Sequence, residues 1–135
     1  MRGTSRTAEG SARIQEAGIE PALADPDRPG SVLEYVGDVP VVVLLLGSVR
    51  GEADAVAAIH GPRLERLMEK LVDTPVRGVV YEAAGSISPQ HLERGRETVA
   101  AAGKRWRIPV EILERDPAEH EAWLDAALAA VRRLV

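Results

Sequence analysis

The sequence has no cysteine and no phenylalanine in 135 residues. The first absence excludes a disulfide framework and thiolate chemistry, and a cytoplasmic location is the expectation. The second leaves Tyr35, Tyr81, Trp106 and Trp123 as the aromatics, so the core must be built from Val, Leu, Ile and Ala. No run approaches the roughly 20 apolar residues that a membrane-spanning helix needs. The opening MRGTSRTAEG lacks the apolar segment of a secretory signal. Basic charge is in deficit: 17 Lys and Arg against 21 Asp and Glu leave a net charge of −4. Nucleic acid and anionic membranes call for a basic face, so neither is expected as a partner. His60, His91 and His120 are scattered, with no carboxylate spacing of a metal site around them, and are read as solvent-facing.

What is present alternates between two periodicities. TAEGSARIQEA (7–17) predicts a short helix with Gly18 as its C-terminal cap. A brief strand is expected at Pro21–Ala24, then one or two helical turns capped by Ser31 with Val32, Leu33 and Val36 inward. The run Val41–Leu46 is apolar on both faces, the mark of a central parallel strand. After a polar Gly/Ala/Asp stretch, GPRLERLMEKLVDT predicts a helix with Pro62 in its first turn. Its stripe is Leu64, Leu67, Met68, Leu71 and Val72, and Glu65, Arg66, Glu69 and Lys70 form its solvated face. Val76–Ala84 predicts a second buried strand, and Ser88 and Pro89 open another helix. Ile108–Leu113 is the last strand. Asp116 then caps a terminal helix whose stripe is Trp123, Ala127, Leu128, Val131, Leu134 and Val135.

Regular alternation of this kind predicts one α/β domain over residues 1–135, with a mostly parallel sheet flanked by helices and right-handed crossovers. Ligands of such sheets sit at the carboxyl ends of the strands. Gly47, Ser48, Gly85 and Ser86 follow strand ends, where small residues either admit a ligand backbone-close or simply make turns. Arg63, opening the main helix, either meets a phosphate or is solvated. Tyr81, late in an apolar strand, is read as core packing with its hydroxyl at the sheet rim.

The order of these segments resembles the nucleotide-binding part of the short-chain dehydrogenase/reductase superfamily, in its extended, epimerase-like and atypical, NmrA-like branches. Four stretches carry the resemblance and together span nearly the whole chain. RGTSR is similar to the end of the family's second strand. AGIEPALADPDRPGSVLEYVGDVPVVVLLLG is similar to its third strand, acidic turn, short helix and fourth strand. GPRLERLMEKLVDTPVRGVVYEAAGSI resembles the helix and fifth strand that end in a Ser-rich turn. AAAGKRWRIPVEILERDP resembles the closing helix and sixth strand. The resemblance implies a Rossmann-like fold and a dinucleotide or small molecule as partner, with NADP favoured over NAD. It also implies a cofactor-binding set of Arg2, Arg6, Asp25, Gly47, Ser48, Ala83 and Ala84. In it Arg2 and Arg6 stand where an Arg meets a 2′-phosphate, and Asp25 stands beside the adenine. A basic tail (Arg2, Arg6) and an ordinary turn (DPDRPG) are the alternatives.

Two features of the family are missing. No G-x-x-G-x-x-G or G-x-G-x-x-G occurs, so the strand, phosphate-binding loop and helix that open the family's domain have no counterpart here. No Tyr-x-x-x-Lys pair stands near Ser88–Arg96, where His91 and Arg94 occur instead, and Ala83 and Ala84 replace the Ser-rich turn. The family's acid/base catalysis is therefore not expected, and no catalytic or metal-binding residue is assigned. Without a first strand, the edge of Val41–Leu46 would be open, an association hazard. Three outcomes follow: the neighbouring strands close the gap, a second chain covers the edge as a homodimer, or Met1 is an internal GTG codon with a glycine-rich loop encoded upstream. A stop codon just before codon 1, with no in-frame Gly-rich segment, would dismiss the last.

Overall fold

The computed structural model describes all residues, 1–135. The chain runs β1 (Arg2–Ser5), α1 (Ala8–Glu16), β2 (Glu20–Leu23), α2 (Pro29–Leu33), β3 (Val41–Leu44), α3 (Ala53–Ile59), α4 (Pro62–Leu71), β4 (Gly78–Glu82), α5 (Pro89–Trp106), β5 (Val110–Leu113) and α6 (His120–Leu134). All strand pairs are parallel, β1 with β2, and β3 with β4 with β5. This is the expected α/β architecture, with one division. The strands form a two-stranded and a three-stranded sheet, and β1 does not pair with β3. The neighbouring strands therefore do not close the gap.

Two arginines show how the sheets lie. At the amino end of β1, the Arg2 guanidinium donates to the Tyr35 carbonyl at 2.7 Å and pairs with Asp38, which precedes β3. Beyond its carboxyl end, Arg6 donates to the Arg50 carbonyl at 3.0 Å, in the loop that leaves β3. The two strands thus run alongside in the same direction, bridged at both ends and unpaired between.

Alternation along the three-stranded sheet divides the core. Leu44, Val79 and Tyr81 face the layer built on α4 and α5, where Leu64, Leu67, Met68, Leu71, Val99 and Ala102 are buried. Leu64, Leu67, Met68 and Leu71 keep the expected i, i+3, i+4, i+7 stripe, each such buried side chain contributing about 1.5–3 kcal/mol, whereas Val72, expected in the same stripe, caps the helix and is exposed. On the other face Val80 and Leu113 pack against Ala130 of α6, with Trp123, Ala127, Val131 and Leu134 beside them.

Several local expectations change. Burial on both faces belongs to β4, all five residues of which are buried, whereas β3 is an edge strand with Val43 39% exposed and Leu45, just past its end, 49% exposed. The reason is that α6 reaches over β4 and β5 but covers only Val41 of β3. Ser31 lies inside α2, and its hydroxyl donates toward the Arg28 and Asp25 carbonyls and accepts the Asp25 N–H. The Asp116 carboxylate accepts the Ala118 N–H in a turn, and α6 starts four residues later. Leu128 and Val135 of the expected α6 stripe are exposed, and Ala130 is the fully buried position. Helix α3 falls in the stretch read as polar, because EADAVAAI has little apolar periodicity.

Candidate functional site

The carboxyl ends of four strands share one rim. Arg6 follows β1, Asp25 follows β2, Gly47 and Ser48 follow β3, and Ala83 and Ala84 follow β4. Arg2 is not among them, because it opens β1 at the opposite end and is engaged by Glu20 and Asp38. Those partners, Asp38 first, raise the Arg2 pKa, and Arg2 in turn lowers that of Asp38. Asp25 orders its own loop, with Oδ1 accepting the Asp27 N–H at 2.9 Å. Arg63 pairs with Asp27 at 3.1 Å, so the start of α4 is tied to the β2 loop.

The small residues after β3 and β4 pack on each other. A Cβ at Gly47 would collide with the Ala84 carbonyl, and one at Gly85 with the Gly47 carbonyl. Gly85 also adopts φ 146°, which only glycine takes readily. The Ile87 N–H donates to the Gly47 carbonyl at 3.2 Å and the Ser86 N–H to Ser48 Oγ at 3.1 Å. Of the two roles open to these residues, mutual loop packing is the one the contacts display.

Two buried polar networks lock the exit of β3 from opposite faces. On the α4/α5 face, His60 ends α3 fully buried, correcting the solvent-facing expectation. One of its ring nitrogens, Nε2, lies 2.9 Å from the Leu46 carbonyl, and Nδ1 lies 2.6 Å from the Tyr81 hydroxyl. A carbonyl only accepts, so Nε2 carries the hydrogen and the Tyr81 hydroxyl donates to Nδ1. Burial holds the His60 pKa down, against the pull of the Leu46 carbonyl and with a smaller push from His91. Burial likewise raises the Tyr81 pKa. Gly95 of α5 makes room for this pair, since a Cβ there would overlap the Tyr81 hydroxyl.

On the other face Glu82, 3% exposed, accepts the Gly47 N–H at 2.9 Å through Oε1 and the Trp123 indole N–H at 2.8 Å through Oε2. Burial raises its pKa, and the two donors oppose that rise. The sequence offered a faint signal for both networks: a His at the end of α3, and a Glu closing an otherwise apolar strand. Neither has a local pattern that marks it as buried.

The helix after the β4 rim, α5, begins at Pro89 with Ser88 before it, and Ser88 makes no side-chain capping bond. His91 is half-buried at its first turn. No group of three or more His, Cys, Asp or Glu side chains is placed to hold a metal. No helix is long and apolar enough to cross a membrane.

The chain matches no protein-family model and no curated protein. Solved structures do resemble it. Triphenylmethane reductase from Citrobacter sp., complexed with NADP(H), superposes with a TM-score of 0.62 at 17% identity, over 84% of this chain and 39% of that one. UDP-glucuronic acid 4-epimerase from Bacillus cereus, in complex with NAD, gives a TM-score of 0.60 at 14% identity, over 87% and 51%. The chain therefore spans about two-fifths to half of these neighbours' length. Identities this low establish fold alone, and on that ground the chain has a Rossmann-like α/β fold, similar to part of the fold of these reductase and epimerase structures.

Proposed function

We propose that the chain binds a nicotinamide dinucleotide along the carboxyl rim, with NADP preferred to NAD, and that it does so without Tyr/Lys catalysis. It would act as a sensor or as a remnant of an oxidoreductase or epimerase. The observation that carries this reading is the shared rim, where Arg6, Asp25 and the β3 and β4 loops all follow carboxyl ends. Neighbours of the same fold hold NADP(H) or NAD.

The residues fit the cofactor in part. In this reading Arg6, which gives one guanidinium N–H to the Arg50 carbonyl, would turn its others to a 2′-phosphate, and Asp25 would offer a carboxylate oxygen to adenine or ribose. The phosphates have fewer partners: the Gly47 N–H is held by Glu82, and Ser48 Oγ already accepts the Ser86 N–H. Without a glycine-rich loop, no helix-end cradle of amides receives the pyrophosphate. Binding through these residues is accordingly weaker than with such a loop.

A second reading rests on the split sheet. The edges of β1 and β3 are unpaired, and Val43 and Leu45 are exposed beside them. An edge of this kind pairs with other chains, which favours a cofactor-free interaction module or homodimer. Thermal denaturation with NADPH and NADH separates the two. At ten times Kd a ligand of the native state stabilises it by about 1.4 kcal/mol, a rise of about 3–6 °C for a domain of this size. NADPH should shift the transition more than NADH, and Arg6→Gln should erase the difference. No shift at millimolar NADPH, with a concentration-dependent dimer by light scattering, would replace the first reading with the second.

A further inference from the structure

A shallow, solvent-open cleft of about 460 Å³ lies at the rim between the loop leaving β3 and the loop entering α5. Val56 and Ile87 line its apolar part, and Arg50, Ser86, Ser88 and His91 stand around it. No carboxylate lines it, in a chain that carries 21 of them. Arg50 is in none of the ion pairs that occupy Arg2, Arg63, Arg96, Arg115 and Arg133. The Ser88 hydroxyl is free of any capping bond.

The walls are held before any ligand arrives. Arg6 fixes the Arg50 carbonyl, Ser48 holds the Ser86 N–H, and Gly47 holds the Ile87 N–H. A loop backbone held in this way loses little freedom on binding, and the ordering cost falls on the exposed Arg50 side chain. An unpaired guanidinium with an imidazole and two hydroxyls suits an oxyanion, which a guanidinium grips through two parallel N–H donors. The apolar part suits a compact hydrocarbon body.

We propose that this cleft binds a small organic oxyanion, a carboxylate or phosphate monoester, with its charge at Arg50 and His91 and its apolar body on Val56 and Ile87. The proposal rests on the rim being a ligand site, as argued above, and names the substrate class of that site. A phosphate of the dinucleotide could supply the same charge, so the test must distinguish the two sources.

The experiment is a 15N NMR titration of the full chain with benzoate, phenyl phosphate, benzyl alcohol and inorganic phosphate, each with and without NADPH. Benzoate and phenyl phosphate should give saturable shifts confined to residues 49–56 and 86–91. Arg50→Gln should weaken them at least fivefold and His91→Asn at least twofold, with melting temperatures unchanged. The proposal is overturned if benzyl alcohol binds as well as benzoate, if inorganic phosphate binds as well as phenyl phosphate, or if the shifts fail to saturate or lie elsewhere. It is also overturned if Arg50→Gln leaves the affinity unchanged, or if NADPH competes with benzoate and shows the same sensitivity to Arg50→Gln. Benzoate binding in a chain that ignores NADPH supports the proposal and removes only the dinucleotide reading.

Discussion

Replacing Tyr81 with Phe deletes one oxygen from the centre of the rim, and the consequence can be worked from its neighbours. In the native chain the Tyr81 hydroxyl donates to Nδ1 of His60, while Nε2 donates to the Leu46 carbonyl. Phenylalanine fills the same volume but leaves Nδ1 a buried acceptor with no donor. Such a group costs about 1–3 kcal/mol. With a urea m-value of about 1.5 kcal/mol/M, the midpoint should fall by about 0.7–2 M. Stability should also depend on the pH through His60. Because burial depresses the native His60 pKa, the unfolded chain takes up a proton that the native state refuses once the pH drops below about 6.5. Stability is therefore fullest above that pH and falls as the pH drops toward the depressed native value, by at most about 1.4 kcal/mol per pH unit. Urea titrations of the native protein at pH 7.5, 6.5, 5.5 and 5.0 follow this decline, and a comparison with Tyr81→Phe at pH 7.5, where His60 is neutral, isolates the lost hydrogen bond. A loss below about 0.5 kcal/mol in the variant at pH 7.5 would refute the hydrogen-bond assignment.

Gly95→Ala should destabilise the chain by about 1–3 kcal/mol through overpacking against the Tyr81 hydroxyl, although alanine is the better helix former by about 1 kcal/mol; a raised urea midpoint would show that α5 can shift away at no cost. Trp123→Phe removes one of the two donors that oppose the upward shift of Glu82. A raised native carboxyl pKa means stability that is full below the ordinary carboxylate range and declines as pH rises through the native value. The variant should steepen and extend that decline between pH 4 and 7 in urea titrations, and parallel curves for variant and parent would contradict the role given to the indole.

The likeness to solved structures bears out the fold expected from the resemblance, although the identities are only 14–17%. Segment order carries that recognition, since no single motif is specific. The candidate rim was legible because strand ends can be read from where apolar runs stop. Arg2 stands away from the rim for a related reason: RGTSR reads as one segment, yet Arg2 opens a four-residue strand and Arg6 follows its other end. The burial of His60 and Glu82 was barely legible. A buried polar residue is identified by its partner, and these partners are 21 and 41 positions away in Tyr81 and Trp123.

Local pattern alone determined the alternation of strand and helix, the inward stripe of α4, and the lack of a glycine-rich loop and a Tyr/Lys pair. These depend on neighbours within a few positions, where periodicity and side-chain type are sufficient. Only the tertiary structure decided that the sheet stays divided between β1 and β3, that β4 rather than β3 is central, and that His60 and Glu82 clamp Leu46 and Gly47 from opposite faces. Each of those outcomes depends on which distant segments share a face, and that is settled by packing the whole chain at once.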